Sequence, residues 1–249
     1  MNNTVHIIAQ GKGGCGKSFA ITILSQYIRD YLNDALCAYD TDQVNTTFAH
    51  YKALDVQHIK IVDDNLDFNE RNFDGLIQEI AETTANVVVD TGANTFLTLL
   101  SYIFENDIIE LLESLGKKVF IHTIIGGGDL YADTYNGLTS IVKQLNAHTV
   151  IWVNEFFGPD VFETIQKDKI IKANLTKICG FIHMPELKKN TIGEDIRIMN
   201  QDRLTLLELS QSTKSTHSIL MKNRVKNLFT HYYDSLNSIK WNDNNDVQK

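Results

Sequence analysis

The residues best placed to do chemistry stand near the amino end. Gln10-Gly11-Lys12-Gly13-Gly14-Cys15-Gly16-Lys17-Ser18 fits the phosphate-binding pattern G-x-x-x-x-G-K-[ST], opening at Gly11 and closing on Gly16-Lys17-Ser18. Glycines let a backbone wrap a polyphosphate without Cβ clashes. The N–H groups of such a loop, with the positive end of the helix behind it, converge on one anion. Lys17 is expected to reach the β- and γ-phosphates, and the Ser18 hydroxyl to ligate Mg²⁺. Two further stretches suit the same chemistry. Asp40 and Asp42 stand one residue apart in Tyr39-Asp40-Thr41-Asp42-Gln43, where carboxylates can hold a divalent cation and activate a water. Asn86-Val87-Val88-Val89-Asp90-Thr91-Gly92-Ala93 is an apolar run that ends in a carboxylate.

These residues need a scaffold, and the hydrophobic pattern supplies one. Val5–Ala9 reads as a buried strand entering the glycine loop. Phe19–Leu32 reads as the helix leaving it, with Ala20, Ile21, Leu24, Ile28 and Leu32 spaced for one face. Further strands are expected at Ala35–Tyr39, His58–Val62, Asn86–Val89, Val119–Ile125, Val150–Val153 and Ile178–Ile182. Helices are expected at Phe73–Thr83, Phe96–Leu115, Leu130–Leu145 and Val161–Ala173. Short apolar strands alternating with helices imply a three-layer α/β fold, a mostly parallel, doubly wound sheet with helices on both faces. Ligands then bind at the carboxyl ends of the strands, where the motifs fall. We expect one domain over 1–240 and a polar, disordered tail over 241–249.

Composition narrows the classes. The chain has 249 residues, 43% of them hydrophobic, and no apolar run near the ~20 needed to span a bilayer. Met1-Asn2-Asn3-Thr4 leaves no room for a signal peptide. Cys15, Cys37 and Cys179 are odd in number and widely spaced, which argues for a reducing, cytoplasmic setting and against a disulfide framework, a C-x-x-C metal site or an iron–sulfur cluster. Cys15 reads as a small residue that fits the loop. The net charge of −8 argues against a surface coated for nucleic acid. His122 and His183 lack partners at metal-ligand spacing and read as structural.

Lys12 adds a second lysine to the loop. With it, the loop resembles the deviant Walker A motif, K-G-G-x-G-K-[ST], of the ParA/MinD-type P-loop ATPases. The resemblance implies that Lys12 reaches across a nucleotide-sandwich homodimer to the partner's phosphates, as an arginine finger does. Asp40-Thr41-Asp42-Gln43 resembles the family's switch I, D-x-D-P-Q, with Gln43 where proline is usual. By that resemblance Asp42 polarises the attacking water and Asp40 holds the metal through its water shell. Asp90-Thr91-Gly92-Ala93 looks like Walker B and switch II, so Asp90 would bind Mg²⁺ through water. The family usually writes D-x-P-x-G there, and this departure keeps open a nucleotide-binding partner-interaction module with negligible turnover. Asn154 stands where the family reads the adenine edge, and Met184-Pro185 resembles the stretch that packs on the base. The expected nucleotide contacts are therefore Gly11, Lys12, Gly13, Gly14, Cys15, Gly16, Lys17, Ser18 and Phe19, joined by Asn154, Met184 and Pro185. The expected metal residues are Ser18, Asp40 and Asp90, and the catalytic ones Lys12, Lys17 and Asp42. No N-K-x-D guanine motif occurs, which favours ATP over GTP.

Within that superfamily QGKGGCGKSF, DTDQVNTTFAHYKAL, DTGANTFLTLLSY, WVNEFFG and the late IGEDI resemble the TraL/StbB-type proteins of conjugative plasmids. That resemblance implies a slow, Mg-dependent ATPase in plasmid transfer or positioning, with a plasmid-encoded partner protein. Other stretches carry separate expectations. Phe96–Leu115 and Ile125-Gly126-Gly127-Gly128-Asp129 offer mobile elements near the switch. Phe96 reads as core and Asp129 as the cap of the next helix. The segment 213–233 holds Lys214, Lys222, Arg224 and Lys226 and no acidic residue, on an amphipathic pattern through Met221, Val225, Leu228, Tyr232, Leu236 and Ile239. Three readings of it are open: a last core helix with a solvated basic edge, a non-specific DNA-binding patch, or a membrane-surface helix. The acidic tail and modest basic count weigh against the membrane.

Overall fold

The computed structural model describes residues 1–63 and 67–241. The strands are β1 (Thr4–Ile8), β2 (Leu36–Asp40), β3 (Gln57–His58), β4 (Asn86–Asp90), β5 (Lys118–Gly126), β6 (His148–Asn154) and β7 (Ile178–Met184). They form one sheet in the order β3-β2-β4-β1-β5-β6-β7, and every pairing is parallel. Parallel neighbours require crossovers. These are α1 (Lys17–Gln26), α2 (Glu70–Glu82), α3 (Phe96–Glu105), α4 (Ile108–Ser114), α5 (Tyr131–Gln144), α6 (Val161–Gln166) and α7 (Lys169–Ala173). They are followed by α8 (Glu194–Gln201), α9 (Leu206–Gln211) and α10 (Ile219–Asn237).

Strand periodicity explains the three layers. Successive side chains alternate faces, and here both sets are apolar. Ile8, Val88, Phe120, Ile124, Val150 and Trp152 pack on one face with residues of α1 and α10. Val5, Ile7, Val87, Val89, Val119 and Ile121 pack on the other with α2, α3 and α4. Farther along that second face, Ile125, Ile151 and Val153 meet α5, α6 and α7. The three-layer, doubly wound α/β architecture is thus the one the alternation required.

The element bounds differ from expectation where local geometry overrides periodicity. The helix expected over Phe96–Leu115 is two helices, because Asp107 takes the left-handed conformation (φ 47°) between them. Leu99, Leu100, Ile103, Ile108, Ile109 and Leu112 of that pair are buried, so the stretch covers the sheet. The helix expected over Val161–Ala173 also breaks, at Asp168, whose carboxylate accepts from the N–H groups of Ile170 (2.7 Å) and Ile171 (3.3 Å) to start α7. The strand expected at His58–Val62 pairs only over Gln57–His58, and Val62 instead bridges Phe68 in antiparallel fashion. Asp129 caps nothing with its side chain; it lies inside the short 3₁₀ turn ahead of α5. Helices α8 and α9 were not anticipated. Trp241, assigned by sequence to the tail, packs 5.4 Å from the His6 ring and 5.1 Å from Phe120, and donates its indole N–H to the Leu236 carbonyl at 2.9 Å. The remainder of that tail, 242–249, lies outside the described residues. No helix among the described residues is long and apolar enough to cross a membrane.

Candidate functional site

Parallel register brings the motif residues to one edge of the sheet. Asp40 stands opposite Asp90, and Asp90 opposite Ile8, the last residue of β1. On the other side Gly126 stands opposite Asn154, and Asn154 opposite Met184.

The glycine loop crosses this edge. Gly14 (φ 71°) and Gly16 (φ 107°) hold left-handed backbone that side-chain-bearing residues rarely adopt. Gly16 is the N-cap of α1 and supplies no side-chain cap, so the first-turn amides of α1 face the loop's concavity. A Cβ on Gly16 would lie 2.9 Å from Asn154 Nδ2, and one on Gly11 2.9 Å from Phe96 Cδ1. Phe96 is buried, as a core residue should be, and its ring is the floor under the loop's first glycine. Asn154 donates from Nδ2 to the Cys15 carbonyl (2.9 Å) and accepts from the Phe156 N–H (3.1 Å). Its amide is therefore built into the loop as well as lining the cavity beside it. Cys15 itself is buried, and burial pushes its thiol up from its ordinary value, which suits an inert packing residue.

Sequence reasoning missed the struts behind the loop. Gln10 is fully buried and donates to the Ile124 carbonyl (2.8 Å) and the Thr134 carbonyl (3.0 Å), tying the loop's root to β5 and α5. A Cβ on Gly137 would fall 2.0 Å from Gln10 Oε1, so glycine is required in α5 for this amide to fit. Thr91 donates to the Ile8 carbonyl (2.6 Å) and Thr41 to the Asp90 carbonyl (2.8 Å), clamping the strand ends together. A polar residue directly after an apolar strand was the available signal in each case.

Two adjoining cavities sit on this frame. One of about 300 Å³ is lined by Gly13, Gly14, Gly16, Lys17, Ser18, Phe19, Asp42 and Ala93, among others. The other, about 410 Å³, shares Gly16 and Phe19 and continues past Asn154, Phe156, Met184, Pro185 and Tyr232. The first is polar and lies at the uncapped start of α1; the second is walled mainly by apolar and aromatic side chains. This division suits phosphates in one and a planar base in the other.

The charged groups divide into free and engaged. Lys17 is buried yet makes no salt bridge or side-chain hydrogen bond among the described residues. Asp90 is buried, and neither carboxylate oxygen has a hydrogen-bond partner of ordinary length. Burial pushes its pKa up to about 7, with Asp40 and Asp42 adding to the rise; nearby Ser18 and Lys17 oppose it. An orphaned buried carboxylate beside a hydroxyl is an oxygen donor set that fits a hard cation such as Mg²⁺, and the empty-handed lysine beside them suits an anion. Asp40 is engaged: its oxygens accept from the N–H groups of Asp42 (3.0 Å) and Ala49 (2.9 Å), and burial raises its pKa despite those bonds. Asp42 Oδ1 accepts from Val44 (2.9 Å) and Asn45 (3.0 Å), while no bond engages Oδ2 among the described residues. Lys12 pairs with Asp133 of α5 at 2.7 Å. That bond raises the lysine's pKa.

Replacing Asp90 by Asn should raise the thermal midpoint of the nucleotide-free protein by about 5 °C, because it removes an unpaired buried charge. The same change should abolish any stabilisation by Mg²⁺ with nucleotide. Thermal scans with and without ligand check both. An unchanged midpoint and an intact metal response would remove Asp90 from the site.

A strand, glycine loop and helix at the carboxyl edge of a parallel sheet, with lysines at both Lys12 and Lys17, define a P-loop nucleotide-binding fold of the ParA/MinD type. No protein-family model matches the chain. It is 39% identical over 205 residues to a Protein TraL of Escherichia coli, covering 81% of this chain and 84% of that one. A second Protein TraL of Escherichia coli is 36% identical over 236 residues, covering 93% and 96%. The chain belongs to the TraL family. Among solved structures, a plasmid partition protein of Borrelia burgdorferi is 16% identical with a TM-score of 0.45, covering 80% of this chain and 95% of that one. The MinD cell division protein of Aquifex aeolicus is 15% identical with a TM-score of 0.46, covering 90% and 97%. Both likenesses are distant.

Proposed function

We propose that the chain is a cytoplasmic ATPase switch. It binds Mg·ATP at the glycine loop, hydrolyses it slowly, and exchanges a monomer for a face-to-face homodimer while ATP is held. The observation that carries this reading is the uncapped start of α1 behind Gly14 and Gly16, with Lys17 and both oxygens of Asp90 unpartnered beside it. The loop amides and Lys17 take up phosphate charge in a preorganised frame. Ser18 and Asp90 are the residues that would hold Mg²⁺, with Asp40 fixing the loop that carries Asp42. When bound, the ion neutralises charge on the β- and γ-phosphate oxygens. Asp42, its Oδ1 fixed by two amides, keeps Oδ2 for a water, and orients that water toward the phosphate. The aromatic and apolar cavity past Phe19 takes the base, with Asn154, Met184 and Pro185 in its wall. Membership of the TraL family points the output toward plasmid transfer or positioning, read by a plasmid-encoded partner.

DNA is not the favoured partner for the 213–233 segment. Lys214 pairs with Asp202 (2.7 Å) and Arg224 with both oxygens of Asp195 (2.5 and 2.9 Å), and Lys222 donates to two carbonyls. These cations hold the fold together and are not presented as a phosphate-binding stripe. A second reading, a nucleotide-binding interaction module with negligible turnover, is supported by the cis pairing of Lys12 with Asp133. A lysine that stays on Asp133 enters no neighbour's site.

Light scattering with ATP, ADP and no nucleotide separates the two. The switch predicts an ATP-dependent dimer, lost in Lys12→Ala and trapped in Asp42→Ala, with phosphate release from Asp42→Ala down about a hundredfold or more. A monomer under every condition, with nucleotide bound, would leave the binding module standing. Normal turnover by Asp42→Ala would remove that residue from its role.

A further inference from the structure

A cavity of about 540 Å³ opens between the turn after α1 and helices α9 and α10, and it shares no lining residue with the nucleotide cavities. Its walls are large, apolar and uncovered. Ile219 is 82% exposed, Tyr31 51% and Leu207 49%, and Leu220 beside them is 65% exposed. Exposed apolar side chains scattered singly need no explanation, but a contiguous set around a concavity does. These side chains stand on rigid supports. Thr205 and Glu208 close a capping box at the start of α9, Ser218 caps α10 by accepting from the Met221 N–H (3.2 Å), and Leu209 and Tyr233 root the floor in the core.

The rim is basic, although the chain as a whole carries −8. Lys222 closes the gap between α9 and α10 through the Ser210 (3.1 Å) and Ser212 (2.6 Å) carbonyls. Asp30, the acidic residue in the wall, is engaged by its neighbour Arg29 (2.6 and 2.8 Å). Lys226 has no side-chain hydrogen bond or ion pair among the described residues. The mouth therefore presents apolar walls, aliphatic and aromatic, and one free ammonium.

We propose that this groove docks an amphipathic helix of another protein, whose apolar stripe fills the cavity and whose carboxylates meet Lys226. A concave, helix-walled apolar groove accepts side chains at i, i+3, i+4 and i+7 of one helix face, whereas a lipid surface requires a convex or flat face. The free ammonium selects an acidic helix and fixes its direction more than its affinity.

The test titrates the full-length protein with a synthetic amphipathic peptide of about 18 residues, five helical turns. It carries leucines at that spacing and glutamates on the flanks. A twin peptide with lysines for glutamates, and vesicles of mixed neutral and anionic phospholipid, are run beside it. The acidic peptide should bind. Ile219→Asp should weaken it about tenfold or more, and Lys226→Glu about threefold, with preference shifting to the lysine peptide. Ile219 is so exposed that its replacement leaves the core alone, and ATP affinity should be unchanged in both variants, which separates this site from the nucleotide site. Equal binding by wild type and Ile219→Asp, equal binding of the two peptides, or vesicle binding without peptide binding would overturn the proposal. So would a self-association that Ile219→Asp abolishes, since the groove would then belong to a second copy.

Discussion

Lys17→Ala should lose nucleotide affinity by about a hundredfold or more while the fold stands. A charge-assisted contact from a partly desolvated ammonium to phosphate is worth about 1.5–3 kcal/mol, and a hundredfold is about 2.7 kcal/mol. Lys17 is buried at the first turn of α1 and spends its charge on no bond within the described residues, so the nucleotide-free fold forfeits little when it goes. Alanine is also the better helix former. Lys12→Ala should behave differently. Its ammonium lies on Asp133, outside its own phosphate cavity, so ATP affinity of the monomer should hold and only assembly should fail. Calorimetric titration with Mg·ATP, with circular dichroism to follow the fold, distinguishes the two lysines. Wild-type affinity in Lys17→Ala would refute the assignment of the loop.

The contrast between these lysines also marks where sequence legibility ends. The loop could be read because its determinants are contiguous: two left-handed positions filled by glycine, a lysine and a hydroxyl in the next turn. Asp40 and Asp90 could be read because each ends an apolar strand, and parallel register does the rest. The Lys12–Asp133 pair could not, because its partners are 121 residues apart and Asp133 looks like any acid in a first helical turn. Gln10 was part of a motif that assigns it no role, and its buried struts depend on a glycine in α5. The double helix α3–α4 was hidden because the apolar pattern continues through Asn106-Asp107, and only backbone conformation interrupts it. The basic segment 213–233 left three readings open because its countercharges, Asp195 and Asp202, sit earlier in the chain.

A buried histidine pair follows the same pattern, and it should govern acid stability. His6 in β1 and His122 in β5 are fully buried, with ring nitrogens 2.9 Å apart. The indole of Trp152 can only donate, so His122 Nδ1 accepts from it (3.0 Å) and His122 Nε2 carries the proton toward His6 Nδ1. His6 Nε2 then donates to Thr4 Oγ1 (2.8 Å), and Thr4 to Asn86 Oδ1 (2.7 Å). One direction of hydrogen bonding thus crosses β6, β5, β1 and β4, and it requires both imidazoles to be neutral. Burial lowers His122 to about 3; burial, with His122 beside it, takes His6 well below its ordinary value. In the unfolded chain each titrates near 6.5, so below that pH the unfolded state binds two protons that the folded state refuses. Stability should fall with acid, by about 1.4 kcal/mol per pH unit for each histidine. Asp90 opposes this, because its folded pKa of about 7 exceeds the unfolded value and the folded state binds the extra proton between them. Two terms against one leave a net loss of about 1.4 kcal/mol per unit between pH 6.5 and 5. Asp90→Asn removes the opposing term and should roughly double that slope, to about 2.7 kcal/mol per unit. Over that window the loss is about 2 kcal/mol in wild type and about 4 kcal/mol in Asp90→Asn, the latter near the smaller stabilities of whole domains, about 5 kcal/mol. Urea unfolding of both proteins at pH 6.5, 5.75 and 5 measures it. A slope in Asp90→Asn no steeper than in wild type would mean that Asp90 is not held protonated in the fold, and stability that does not fall with acid in Asp90→Asn would mean that the histidine pair is not held neutral.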